Sequence, residues 1–195
     1  MKRSFLIITF LILIANSIFA EDKKSYAFFN LDVGTGTLIE LDFKNKTTLF
    51  INPVSFSFEG TRVYENKSSF KLDLNFFLPY NFMLINNNET SDVTHLVNLA
   101  MGFQFLAGGA FAPIYNDKHL LQISGGGGFL FMGLNTQGVA ILNYAIGPWV
   151  SVDYNYQINR VLFINTGVDF VYYGFSVAGP MYLSFLGEIG FGVKI

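Results

Sequence analysis

No cysteine occurs in the 195 residues, which excludes disulfides, thiolate metal sites, a cysteine nucleophile and a lipid-modified N-terminal cysteine. Charge is scarce as well. Asp, Glu, Lys and Arg make up 13% of the chain, roughly half the ~25% of an ordinary soluble domain. The charged set is balanced, 12 basic residues against 14 acidic, so nucleic-acid binding has no electrostatic basis. Long apolar runs are missing beyond the first twenty residues. The nearest approaches to a spanning helix are 96–112, 120–134 and 139–150. The second contains Gly125-Gly126-Gly127-Gly128, and a helix interior resists glycine by about 1 kcal/mol each relative to alanine.

What is present is apolar and aromatic: 51% hydrophobic residues, with 23 Phe, 10 Tyr and 19 Gly. That aromatic load excludes a disordered chain, and the length suits one domain. The N-terminus is a separate matter. Lys2 and Arg3 precede an apolar stretch from Phe5 to Ile14, then Asn16 and Ser17, and Ala20 stands before the charged Glu21-Asp22-Lys23-Lys24. This layout predicts a secretory signal peptide over 1–20, since its apolar core is too short to span a membrane. Residues 21–195 are then the working domain.

Within that domain the hydrophobic period is two. Phe70, Leu72, Leu74, Phe76 and Leu78 alternate with Lys71, Asp73 and Asn75. The odd positions from Phe29 to Phe43 are apolar or threonine, while Asn30, Asp32, Glu40 and Asp42 lie between them. Leu99, Met101, Phe103 and Phe105 alternate with Ala100, Gly102 and Gln104. Leu162, Ile164, Val168 and Phe170 alternate with Asn165, Gly167 and Asp169. Phe185, Ile189, Phe191, Val193 and Ile195 alternate with Ser184, Glu188, Gly190, Gly192 and Lys194. Successive strand side chains point to opposite faces, so each segment has one apolar and one polar face, a segregation that no helical period produces.

Composition decides which face is inside. The polar face is made of Gly, Ser and Asn with few charges, a poor surface for water, whereas the apolar face is continuous and rich in Phe. Membrane barrels are apolar outside and polar inside. The glycines of the polar face, among them Gly34, Gly102, Gly126, Gly128, Gly147, Gly167, Gly190 and Gly192, fit a narrow lumen. Turn-forming clusters divide the domain into eight strand segments: 25–43, 48–62, 69–78, 95–107, 119–134, 139–154, 161–173 and 181–195. In the second, Pro53 is internal and the parity slips near Gly60, which predicts a bulge there. An even count puts both termini at one end, with loops after Phe43, Leu78, Leu134 and Tyr173 at the other; residues 79–94 form the longest. Tyr26, Tyr64, Tyr80, Tyr115, Tyr154, Tyr156, Tyr172, Tyr173 and Tyr182 lie near strand ends, which predicts two aromatic girdles. The expected fold is all-β: a closed antiparallel transmembrane β-barrel of eight strands.

On these features the chain resembles the small eight-stranded bacterial outer-membrane barrels of the OmpA, OmpX and OmpW type. The resemblance implies residence in the outer membrane, contact with its lipid, and handling by periplasmic chaperones and the barrel-assembly machinery. The C-terminal alternation of Phe191, Val193 and Ile195 looks like the signal that machinery reads, although it ends in Ile and not in Phe or Trp.

Chemistry is harder to find. His95 and His119 are the only histidines; neither has metal-ligand spacing, and neither carries the His-x-Ser pair of barrel deacylases. No catalytic residue, cofactor or metal site is expected from the spacing. The inward charges are better placed: Asp32, Lys71, Asp73, Asp153, Asp169, Glu188 and Lys194 share the predicted interior, where buried charges must pair. The reading is a structural or surface-interaction protein without catalytic activity, since eight strands leave a lumen filled by side chains. The alternatives are a narrow channel or transporter for small or hydrophobic solutes, and a lipid-modifying enzyme.

Overall fold

The computed structural model describes residues 25–64, 67–86, 89–176 and 179–195; the predicted signal peptide lies outside them. The elements are β1 (Ser25–Asp42), β2 (Thr47–Tyr64), β3 (Ser68–Asn86), β4 (Glu89–Asp92), a single 3-10 turn (Thr94–Leu96), β5 (Val97–Tyr115), β6 (His119–Thr136), β7 (Val139–Gln157), β8 (Leu162–Tyr173), β9 (Phe175–Ser176) and β10 (Met181–Lys194). Among the described residues no helix is long and apolar enough to cross a membrane. Strands β1, β2, β3, β5, β6, β7, β8 and β10 pair in that order, and β10 pairs back to β1, so eight antiparallel strands close into a barrel. The short β4 and β9 are additions at the rim, paired to β3 and β7.

Parity follows the sequence along most strands. Asp32, Lys71, Gln104, Gln122, Ser151, Asp169 and Ser184 are buried inside, while outward neighbours such as Leu31, Phe76, Ile123, Val168 and Ile189 are each at least half exposed. That is the reverse of a soluble barrel and the arrangement of a membrane barrel. The β6–β7 hairpin shows the local logic. Gln137 and Gly138 both have positive φ, +50° and +84°, the geometry that matches a two-residue turn to the twist of its strands.

β3 and β5 run far past their predicted ends, for the same reason. β3 continues to Asn86 and pairs with β2 as far as Thr47. Pro79 faces Pro53 but Asn81 faces Asn52, so Tyr80 is an extra residue on β3 and the register shifts there. The bulge inverts the parity: the buried positions change from Lys71, Asp73, Asn75 and Phe77 to Phe82. The strand expected from the sequence ends at Leu78, before Pro79 and the Asn-rich cluster that begins at Asn86, and the loop expected over 79–94 is largely a hairpin built from the end of β3 and β4. β5 likewise continues to Tyr115 through a second irregularity between Phe111 and Ile114. The bulge expected near Gly60 is not there. β2 keeps unbroken register with β1 and β3 through Gly60, and the Phe29 ring packs over the glycine, which mimics a slip in the pattern. The predicted girdles are also corrected in part: Tyr173 and Tyr182 are fully buried inside the barrel.

The interior is layered. At the loop end Leu38, Ile51, Phe77, Phe82, Leu130, Met132, Trp149, Tyr173, Tyr182 and Leu186 belong to one apolar cluster. At the terminal end Phe28, Val63, Ala112, Leu120 and Phe163 form a second. The polar band lies between them.

Candidate functional site

Strand register brings the middle band together. Glu59 and Asp73 are direct partners on β2 and β3, and Lys71 lies one inward step from Asp73. Asp153 and Asp169 enter from β7 and β8, and Glu188 from β10. Lys71 is 1% exposed and is the hub. Its Nζ lies 2.7 Å from Asp153 Oδ2, 3.0 Å from Glu59 Oε2 and 3.9 Å from Asp169 Oδ1. It also donates to Ser151 Oγ at 3.2 Å and stands 5.7 Å from the centre of the Trp149 ring. Ser151 Oγ donates to the same Asp153 oxygen at 3.0 Å, and Thr61 Oγ1 donates to Glu59 Oε1 at 2.9 Å.

The remaining carboxylates have weaker support. Ser57 Oγ donates to Glu188 Oε2 at 3.0 Å and Ser55 Oγ to Oε1 at 3.4 Å. Asn165 Nδ2 donates to Asp32 Oδ1 at 3.2 Å, and Asn75 Nδ2 to Asp73 Oδ2 at 3.0 Å. Glycines make the room. A side chain at Gly34 would run into Ser55 Oγ and Glu188 Cγ, and one at Gly167 into the Asp153 carboxylate. The band thus contains six carboxylates (Asp32, Glu59, Asp73, Asp153, Asp169 and Glu188) against the one ammonium of Lys71. Two unit charges ~4 Å apart interact by about 4 kcal/mol at an effective dielectric of ~20, so like charges this close need protons or a counter-cation.

Of the predicted interior charges, the structure therefore unites Asp32, Lys71, Asp73, Asp153, Asp169 and Glu188. Lys194 shares their parity but not their company. It sits at the terminal rim, its Nζ 4.1 Å from the Tyr26 ring centre and 5.7 Å from those of Phe28 and Tyr115, beside the apolar layer that contains Phe28. Glu59 was missed. The signal was available in Ser55, Ser57, Glu59 and Thr61 alternating with Val54, Phe56 and Phe58, but an assumed slip near Gly60 hid it.

A second feature lies above the loop-end apolar layer. A cavity of about 390 Å³ opens in the mouth of the barrel, lined mainly by Leu49, Phe82, Leu84, Leu96, Leu134 and Ile141, with Glu40, Thr136, Gln137 and Asn143 as its polar groups. Asn143 Nδ2 donates to Tyr182 Oη at 2.8 Å, and its carbonyl oxygen is buried without a donor. Asp92, on the rim hairpin, accepts the Thr94 N–H at 2.9 Å, which holds its carboxyl below the usual range. The histidines are far apart in the fold. His95 lies in the 3-10 turn at the loop end; His119 starts β6 at the terminal end, with Nδ1 2.6 Å from Tyr154 Oη.

No protein-family model matches this sequence, and no curated protein does. Solved structures do match. The outer membrane protein OprG from Pseudomonas aeruginosa is 13% identical, with a TM-score of 0.61 over 88% of this chain and 97% of that one. Ail, the attachment invasion locus protein of Yersinia pestis, is 12% identical, with a TM-score of 0.58 over 89% and 100%. Neisserial surface protein A is 11% identical, with a TM-score of 0.58 over 88% and 96%. The chain has the fold of these small outer-membrane barrels along its described length.

Proposed function

We propose that this chain is an outer-membrane barrel with a structural or surface-interaction role and no catalytic activity. The observation that carries the reading is the layered interior. A polar band knotted around Lys71 is capped by apolar side chains at both ends, so a solute crossing the lumen would have to displace a buried ion network and two packed layers. The likeness to an attachment protein of the same fold supports a role carried by the loop-end surface, where Phe43, Val139, Leu142 and Phe175 are 60–75% exposed. Planar-bilayer recording on the full chain extracted in detergent tests this. Silence under applied voltage is expected, and discrete openings of constant size would overturn it.

The mouth cavity favours a second reading, capture of a small apolar solute with one polar group turned to Glu40 or Asn143. Clefts of 300–1,000 Å³ with a few convergent polar groups are typical of ligand sites. A saturable change in Trp149 emission on adding a long-chain amine, abolished in Ile141→Asp, would support it. A titration identical in both proteins would remove it.

A further inference from the structure

We propose that the polar band is a binding site for one hard divalent cation, of the Ca²⁺ class, held by Asp73, Asp169 and Glu188. One oxygen from each of these carboxylates can be chosen so that all lie within 4.8 Å of one another, a triangle that a single ion spans at its usual 2.3–2.6 Å ligand distances. The three side chains come from β3, β8 and β10, so the cluster is a product of closure and no sequence spacing announces it. Lys71 does not neutralise the triangle. It is held at 2.7 and 3.0 Å by Asp153 and Glu59 and approaches only Asp169 of the three, at 3.9 Å.

A separate observation points to a cation and not merely to acidity. Asn75, fully buried, lies on the triangle through its bond to Asp73, yet its carbonyl oxygen has no donor. Directly across the β3–β5 ladder, Gln104 is fully buried and faces the lumen with neither side-chain atom bonded. Asp73 Oδ1 and Asp169 Oδ1 are buried without a donor as well. Buried polar atoms are almost always satisfied, and this set is dominated by acceptor oxygens, which a cation satisfies and an ionised carboxylate cannot. The donors are all oxygen, which selects hard ions over Zn²⁺ or Cu²⁺. Ca²⁺ accepts an irregular all-protein cage more readily than Mg²⁺, which retains its waters. Ser55 and Ser57 occupy part of Glu188, but a carboxylate has about four acceptor positions, so its remaining lone pairs are free to ligate. With apolar layers on both sides, the ion enters during folding and leaves slowly afterwards. The inference is independent of the surface role proposed above.

Trp149 makes it testable, because it is the only tryptophan of the chain and faces the band. The full chain is refolded from denaturant into detergent micelles with Tb³⁺, and Tb³⁺ emission is excited through the indole. Saturable emission at one ion per barrel, suppressed by Ca²⁺ during refolding, is expected. Asp73→Asn and Glu188→Gln should each raise the half-saturating Tb³⁺ concentration at least tenfold, while Asp92→Asn on the rim leaves it unchanged. Absence of saturable emission, or equal titrations in all four proteins, overturns the site. Should a variant not fold, elemental analysis of the wild-type barrel refolded in Ca²⁺ and dialysed against chelator decides. About one calcium per chain upholds the proposal, and none refutes it. Bilayer silence would survive either result, so the two readings fail separately.

Discussion

Lys71 shows how much a single residue can depend on what surrounds it. Its long apolar stem and its ammonium are buried together, a placement tolerated only where carboxylates compensate the lost hydration. Removing one member of such a group costs more than the group contributes, because the partners remain buried and unpaired. Lys71→Met should therefore destabilise the folded barrel by about 3–5 kcal/mol in urea unfolding from micelles. The triple change Lys71→Met, Glu59→Gln, Asp153→Asn should recover much of that loss, since it removes the stranded charges too. A triple variant no more stable than the single one would mean that Lys71 acts through packing alone. Glu59 teaches the complementary lesson. Its alternation with Val54, Phe56 and Phe58 was legible, and only the false slip at Gly60 concealed it. A glycine covered by a neighbouring ring looks, in one dimension, like a break in parity.

At the scale of the element, β3 and β10 behave differently. β10 alternates without interruption, and its outward positions Ile189 and Phe191 are 62% and 67% exposed, so its sequence alone marked both faces. β3 carries a bulge at Tyr80, and the alternation that identified its first half could not identify its second. The bulge has a packing consequence: it brings Phe82 into the loop-end layer and Leu84 to the mouth cavity. β10 is also the seam, paired to β8 on one side and to the first strand on the other. We propose that Phe191, Val193 and Ile195 serve as the assembly signal through that outward face. The double change Phe191→Ser, Val193→Ser should lower the yield of folded barrel in the outer membrane several-fold while leaving detergent refolding of the purified chain less affected. Equal losses in both assays would make these side chains structural and not a signal.

For the whole molecule, closure is the decisive property. An open sheet of eight strands would leave two long unpaired edges, which a barrel removes, and a membrane interior tolerates none. Closed barrels resist detergent unfolding, so the folded chain should migrate at a different position on an unboiled SDS gel than after boiling. Identical migration, or a processed chain that stays monomeric and β-rich in plain buffer, would contradict an outward apolar belt.

The sequence by itself determined strand identity, the count of eight and the inversion of faces, because these follow from a period of two and from composition, both local properties of the chain. Only the tertiary structure decided which inward residues meet. Lys71, Asp153 and Glu188 are brought together by register and closure, and register across a closed sheet is set by all eight strands at once. The same reason separates Lys194 from the other charges. Parity gave the correct face for it, but height along the barrel axis is not a property that parity contains.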